Sequence, residues 1–194
     1  MKEAVPVLKG KGTDQEKSEP EPVKPKWVMV NTPYCQDICE RFLGFSLPQD
    51  NQLVIISYEG IHIIHLQTPE DVQNDYSYPE GGHIYDHEKQ ILEYTGKAFQ
   101  ILGVNGGKPI LYSQFGEHIL LTSHHTNLKD QQRVVQACKV QGDKGHILFE
   151  YQFEDMSGDW TYCSFSADSN YIVFGAPYDF FLFQRVQETK SYSG

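Results

Sequence analysis

Apolar and polar positions alternate most regularly between Trp160 and Val186. Cys163 and Phe165 alternate with Tyr162, Ser164 and Ser166, Ala167–Asn170 has turn chemistry, Tyr171–Phe174 is a β-branched and aromatic run, and Gly175–Pro177 turns the chain again before Phe180–Val186. That pattern predicts three consecutive antiparallel strands, each with one face buried and the other wet. A weaker copy lies at Phe42–Phe45, Leu53–Ser57 and Ile61–Leu66, with turns at Pro48–Asn51 and Glu59-Gly60. Another lies at Phe99–Val104, Pro109–Ser113 and His118–Thr122, with turns at Asn105–Gly107 and Phe115–Glu117. Between the copies, Thr68–Gly82 and Ser123–Gln132 read as polar connections, Val134–Val140 as a further apolar segment, and Ile91–Tyr94 and Ile147–Phe153 as fourth strands. At the front, Trp27–Val30 reads as a short strand ended by Asn31, Thr32 and Pro33, and Tyr34–Phe42 as a brief helix or an irregular loop.

The spacing predicts a repeat. Phe45, Val104 and Phe165 occupy matching places at intervals of 59 and 61 residues, while Tyr58, Phe115 and Tyr178 mark the same turn in each copy. Val28 precedes Phe45 by 17 residues, as Leu148 precedes Phe165. Four short antiparallel strands per unit suit a propeller blade. The units resemble degenerate WD-repeat propeller blades, above all Cys163-Ser164-Phe165-Ser166, the turn after it, Tyr171-Ile172-Val173-Phe174 and Asp179 leading into a third strand. The resemblance runs over about residues 27 to 186. It departs from the family at the signature dipeptides: no Trp-Asp closes a third strand, where Phe183-Gln184 and His65-Leu66 lie, and no Gly-His precedes a first strand. The fold class expected is all-β, with antiparallel four-stranded repeats forming a partial or oligomer-completed β-propeller of about three blades over residues 27–190, preceded by a disordered N-terminal tail at 1–26.

Composition supports that tail. Met1–Lys26 holds Lys, Glu, Pro and small polar residues with no aromatic, so it has too little apolar surface to offset the entropy of ordering it. Its Glu-Pro and Lys-Pro pairs favour extended backbone, so it reads as a solvated spacer. A formal charge of −10, with no basic cluster in the folded part, argues against nucleic acid and anionic membranes as partners. No apolar run approaches the roughly 20 residues of a membrane-spanning helix, and Met1–Gly10 has no apolar core of a signal peptide. Cys35, Cys39, Cys138 and Cys163 are scattered, which fits a reducing compartment. A cytoplasmic location is expected.

Candidate chemistry is sparse. His83 and His87, with Asp86 and Glu88, are the densest set of metal-ligand types, yet a polar loop produces such clusters without a site. Cys35 and Cys39 lie one helical turn apart without a completing pair and read as packed thiols. Ser123-His124-His125 lies in an inter-strand loop with no identifiable partner, and Val104–Lys108 lacks the spacing and helix of a phosphate loop. Cys163 alternates onto a buried face, where a thiol is inert. No cofactor, metal or catalytic residue is therefore assigned. What recurs is an aromatic beside an acid at one turn of each copy: Tyr58 and Glu59, Phe115 and Glu117, Tyr178 and Asp179. In the family resembled, that turn emerges on the rim that usually receives protein partners, and exposed aromatics beside polar groups have hot-spot composition. The alternative is that these rings pack between blades.

The function expected is a non-catalytic protein–protein interaction module or scaffold. The rival is a metal-dependent enzyme or small-ligand binder using the His83–His87 cluster. Since three blades fall short of the four to eight of a closed propeller, two apolar blade faces and unpaired strand edges are expected to need cover. Another protein, further blades of the same propeller or a homo-oligomer would provide it.

Overall fold

Fourteen strands and one helical turn are described over residues 26–77, 84–128 and 131–186 of the computed structural model. The tail expected at 1–26 lies, save for Lys26, outside the described residues, as does His83. The chain is all-β and every strand pairing is antiparallel. The first copy folds as a meander of β2 (Phe42–Ser46), β3 (Gln52–Ser57), β4 (Ile61–His65) and β5 (Val72–Asp75). The last copy gives β12 (Tyr162–Phe165), β13 (Tyr171–Gly175) and β14 (Phe180–Val186). Its fourth strand is β1 (Lys26–Met29), paired with β14 from Lys26 opposite Val186 to Met29 opposite Phe183. A single turn of helix, α1 (Cys35–Ile38), leads from β1 to β2.

The middle copy departs from the predicted order. Its first strand, β8 (Lys97–Gly103), pairs with β2 on one side and with β7 (Ile91–Tyr94) on the other, and β6 (Ile84–Asp86) follows. The result is one seven-stranded sheet in the order β5-β4-β3-β2-β8-β7-β6. Ile91–Tyr94 thus serves β8, and the fourth strand beside β4 is the polar β5. Glycines make the junction possible: a Cβ on Gly103 would collide with the Leu43 carbonyl, and one on Gly44 would stand 2.8 Å from an Ile101 methyl. Pro109–Ser113 makes one bridge, Tyr112 to His118, and otherwise lies along β12, where the Phe165 N–H donates to the Ile110 carbonyl. Ser123–Gln132 is no loop: β9 (His118–Leu128) and β10 (Gln131–Gln141) run through it as a long hairpin, and β11 (Ile147–Asp155) completes a three-stranded sheet.

Alternation along the strands stacks these sheets into layers. On one face of the four-stranded sheet, Val173, Phe180 and Leu182 pack with Phe45, Leu53, Ile55 and Ile64 of the seven-stranded sheet, with Ile38 and Cys39 closing the edge. On its other face Phe165, Ile172, Phe174 and Phe183 meet Cys138, Val140 and the rings of Phe149, Tyr151 and Phe153 from the three-stranded sheet. Burying each large side chain contributes roughly 1.5–3 kcal/mol, which is why the central sheet reads as near-continuous apolar runs. Cys138 and Cys163 meet in this second layer with their sulfurs 2.7 Å apart, and burial, then the neighbouring Cys138, pushes the Cys163 thiol well up.

One outer face is covered within the chain and the other is polar. The seven-stranded sheet curls, so that Leu92, Tyr94, Phe99 and Ile101 of β7 and β8 pack over Val54, Ile56, Ile61 and Ile63 of β3 and β4. The three-stranded sheet turns outward a face of Lys139 paired with Glu150 at 3.1 Å, Arg133 paired with Glu154, and Thr122, His124 and Gln152 beside them. The two exposed apolar faces expected of an open arc are therefore absent among the described residues. Strand edges are a separate matter.

Candidate partner-binding end face

Two of the three aromatic turns lie together and the third lies apart. Phe42 pairs with Ser57, and its N–H donates to the Pro177 carbonyl at 2.8 Å, so the β3–β4 turn carrying Tyr58 and Glu59 and the β13–β14 turn carrying Tyr178 and Asp179 flank the same residue. Phe115 is at the other end of β14. Its ring lies 4.5 Å from the Arg185 guanidinium, and Tyr178 and Arg185 are separated by nearly the whole strand, roughly 20 Å at the usual rise. The reason is the path of Pro109–Gln114, which follows β12 to the β12–β13 turn, where the Gln114 N–H donates to Ser169 Oγ at 3.1 Å.

At that far end Glu117 is only 4% exposed and works inside the fold. It takes both terminal nitrogens of Arg185, whose guanidinium lies 4.4 Å from the Trp27 ring and 4.5 Å from that of Phe115, while Arg185 Nε donates to the Ser169 carbonyl. Of the six residues assigned from sequence, Glu117 is thus committed to an internal latch, and Phe115, although 52% exposed, has one face on it.

The near end is rich in tyrosine. Tyr34 is 81% exposed, Tyr58 77%, Tyr76 62% and Tyr178 41%. Tyr76 joins the group because β5 ends beside the β3–β4 turn: a Cβ on Gly60 would lie 3.1 Å from Tyr76 Cα. Tyr34 opens the helical turn that leads to Arg41, and its phenol and Asp179 both act electrostatically on Tyr151. Arg41 lies beside Tyr178, with its guanidinium 5.7 Å from that ring and ion-paired with Asp159, while its Nε–H has no protein acceptor among the described residues.

Polar scaffolding fixes this end. Ser57 Oγ accepts the N–H groups of Glu59 and Gly60 at 3.0 and 3.2 Å and lies 2.8 Å from His62 Nε2, whose Nδ1 lies 2.8 Å from Asn74 Oδ1. Asn74 Oδ1 can only accept, so in neutral His62 the proton is on Nδ1 and the Ser57 hydroxyl donates to Nε2. Burial alone lowers the His62 pKa, but contacts with Cys39 and Asn74 and the charges of Cys39 and Glu59 bring it above its ordinary value. Serine, histidine and amide in series are the ingredients of a nucleophile relay. Here Ser57 and His62 are buried and the hydroxyl oxygen is occupied by the turn's own amides, so the series locks the turn that presents Tyr58.

Asp155 does the same for Arg41. Its carboxylate accepts from Ser157 N–H and hydroxyl, Gly158 N–H, Gln136 and Thr161, shaping the turn that carries Asp159. Burial acts to raise the Asp155 pKa, and these hydrogen bonds outweigh it and lower it. Asp179 is raised, by burial first and then by the charge of Asp155.

In the part of the rival cluster that is described, Asp86 accepts from the N–H groups of Glu88 and Lys89, and His87 Nδ1 lies 2.8 Å from Asn105 Nδ2. Among the described residues no group of three or more His, Cys, Asp or Glu side chains could hold a metal ion. At the Phe115 end a cleft of about 580 Å³ lies between the β2–β3 and β12–β13 turns, walled by Leu47, Pro48, Ile110, Asp50, Lys108 and Asp168. Among the described residues no helix is long and apolar enough to cross a membrane. Sequence reasoning did not single out Tyr34, Arg41, Tyr76 or His62, because nothing in a sequence tells an exposed tyrosine from a packed one. Comparison with known proteins gives no match to a family model, to a curated protein or to a solved structure.

Proposed function

We propose that the chain is a non-catalytic protein–protein interaction module of the cytoplasm, built on WD-repeat-like blades, that receives a protein partner on the Tyr34, Tyr58, Tyr76, Tyr178 and Arg41 end face. One observation carries the reading: four tyrosines from separate connections are exposed at one end, together with an arginine held by the Tyr178 ring and an ion pair. Tyrosine and arginine are enriched in interface hot spots, because both offer large contact area with a polar handle. Two four-stranded antiparallel units packed face to face support the blade part of the reading.

The test is affinity capture with the wild-type chain and with the Tyr58→Ala/Tyr76→Ala/Tyr178→Ala variant as baits, each with its thermal melt recorded. A partner held by the wild type and released by a variant that melts normally supports the end face. Equal capture by both baits refutes it, and a variant that unfolds assigns the rings to packing instead.

A further inference from the structure

Neither outer face is an exposed apolar sheet, but among the described residues one strand edge is open and unguarded. β9 is the outer strand of the three-stranded sheet and pairs with β10 in unbroken register from His118 to Leu128, with no bulge. Its sequence, HILLTSHHTNL, contains no charged residue, no proline and no glycine, so none of the usual devices that stop edge-to-edge pairing is present. The other edges have them: β11 carries Glu150, Glu154 and Asp155, β5 and β6 are short and end in Asp75 and Asp86, β1 is short with Lys26, and β12 is flanked by Pro109–Ser113. Residues 120–125 of β9 are exposed on both faces, Leu120 and Leu121 among them.

The direction of the backbone groups can be read from one bond. The Ile119 N–H donates to the Leu111 carbonyl, away from β10. By strand alternation the N–H and C=O groups of Leu121, Ser123 and His125 also point away from β10, past the end of the covering segment and into the open. These three residues form a self-complementary set. About a two-fold axis at Ser123, antiparallel pairing puts Leu121 opposite the partner's His125, Ser123 opposite the partner's Ser123, and His125 opposite the partner's Leu121, each exchanging both hydrogen bonds.

We infer that a second copy of this chain pairs along β9, making a continuous six-stranded sheet across the two-fold axis. The charge pattern selects that occupant. The chain is strongly acidic, yet this strand is neutral, so it offers nothing to a basic peptide and no local repulsion to its own copy. One added strand buries well under the roughly 800 Å² per partner of a standard interface, so the dimer is weak, with a dissociation constant on the order of micromolar. This inference is independent of the tyrosine end face, which lies on other elements.

Sedimentation of the full chain from about 1 to 300 μM decides it, the range spanning a micromolar constant. The wild type passes reversibly from monomer to dimer. Ser123→Pro deletes an outward N–H without touching the β10 ladder, keeps the far-ultraviolet spectrum and melt of the wild type, and weakens the dimer at least 100-fold. Leu121→Lys, a gatekeeper on the same edge, does likewise should Ser123→Pro fail to fold. The Tyr58→Ala/Tyr76→Ala/Tyr178→Ala variant still dimerises. A wild type that stays monomeric, a dimer indifferent to both β9 variants, or open-ended assembly in place of a dimer each overturns the inference.

Discussion

Glu117→Ala is the most informative single change, because it separates a side chain that a partner touches from one that the fold requires. The Glu117 and Arg185 side chains are 5% and 8% exposed, and Arg185 is further held by the Ser169 carbonyl and between the Trp27 and Phe115 rings. Truncation leaves the guanidinium in place with no counter-charge and strips the Ser113 hydroxyl of its acceptor at 2.9 Å. Removing one member of a buried ion pair costs about 3–5 kcal/mol, against a total stability on the order of 5–15 kcal/mol for a domain. Equilibrium urea unfolding measures it, as a lower midpoint at unchanged slope. The double change Glu117→Met/Arg185→Met recovers most of the loss, since a well-packed apolar pair often replaces a buried ionic one without penalty. A loss below about 1 kcal/mol for Glu117→Ala, the range of surface pairs, refutes the latch. It would return Glu117 to the set of surface residues open to a partner.

Gly103→Ala drives a methyl group into the Leu43 carbonyl and loses several kcal/mol, read in the same unfolding assay; near-wild-type stability would mean that β2 and β8 are not paired as described. Asp179→Asn raises the melting temperature near neutral pH. Burial and the Asp155 charge raise the Asp179 pKa, so its ionised form disfavours the fold, and the gain vanishes once acid has protonated the wild type. Asp155→Asn has the opposite sign. Its lowered pKa stabilises above the unfolded carboxylate range and is lost as pH falls through the folded value, so the variant is weaker at pH 7 and the gap narrows in acid; a pH-independent gap in either variant contradicts this electrostatic account. Cys138 and Cys163 resist alkylation in the native protein and react after unfolding, because both are buried and the Cys163 thiol is held protonated; rapid native labelling contradicts the packed layer.

The strands that line a core were legible wherever one strand carried its own signal. Phe42–Ser46, Gln52–Ser57 and Ile61–His65, and the three strands from Tyr162 to Val186, lie within a residue or two of where alternation and turn chemistry placed them. The polar strands were not legible. Val72–Asp75 has one apolar residue because it is an edge, and the hairpin arms through Ser123–Gln132 extend beyond the layer that buries their neighbours, so neither contrasts an inner with an outer face. Pairing partners were not legible either. The repeat placed β8 as the first strand of a middle blade, but the absence of a Cβ at Gly44 and Gly103 lets it join β2, a contact invisible to any window of local sequence. The same applies at the site. Tyr58, Glu59, Tyr178 and Asp179 do share one end, whereas Phe115 and Glu117, matched to them by turn position, are carried away by a segment that tracks β12.

The pairing of β1 with β14 bears on the order in which the chain can be built. Trp27 rests against Phe149, Phe165 and Arg185, and Lys26 faces Val186, so what this strand needs is made about 160 residues after it. During synthesis β1 must wait while β2 to β5, whose partners are nearby in sequence, can already zip. Contacts of such separation slow folding, because the loop entropy is lost before the contact repays it. A circular permutant that joins Val186 to Lys26 through a short linker and opens the chain in the Gly142–His146 turn would turn this longest-range pairing into a hairpin. The cut makes β10 and β11 the long-range pair in exchange, so the two chain orders reach the same sheets through opposite closures.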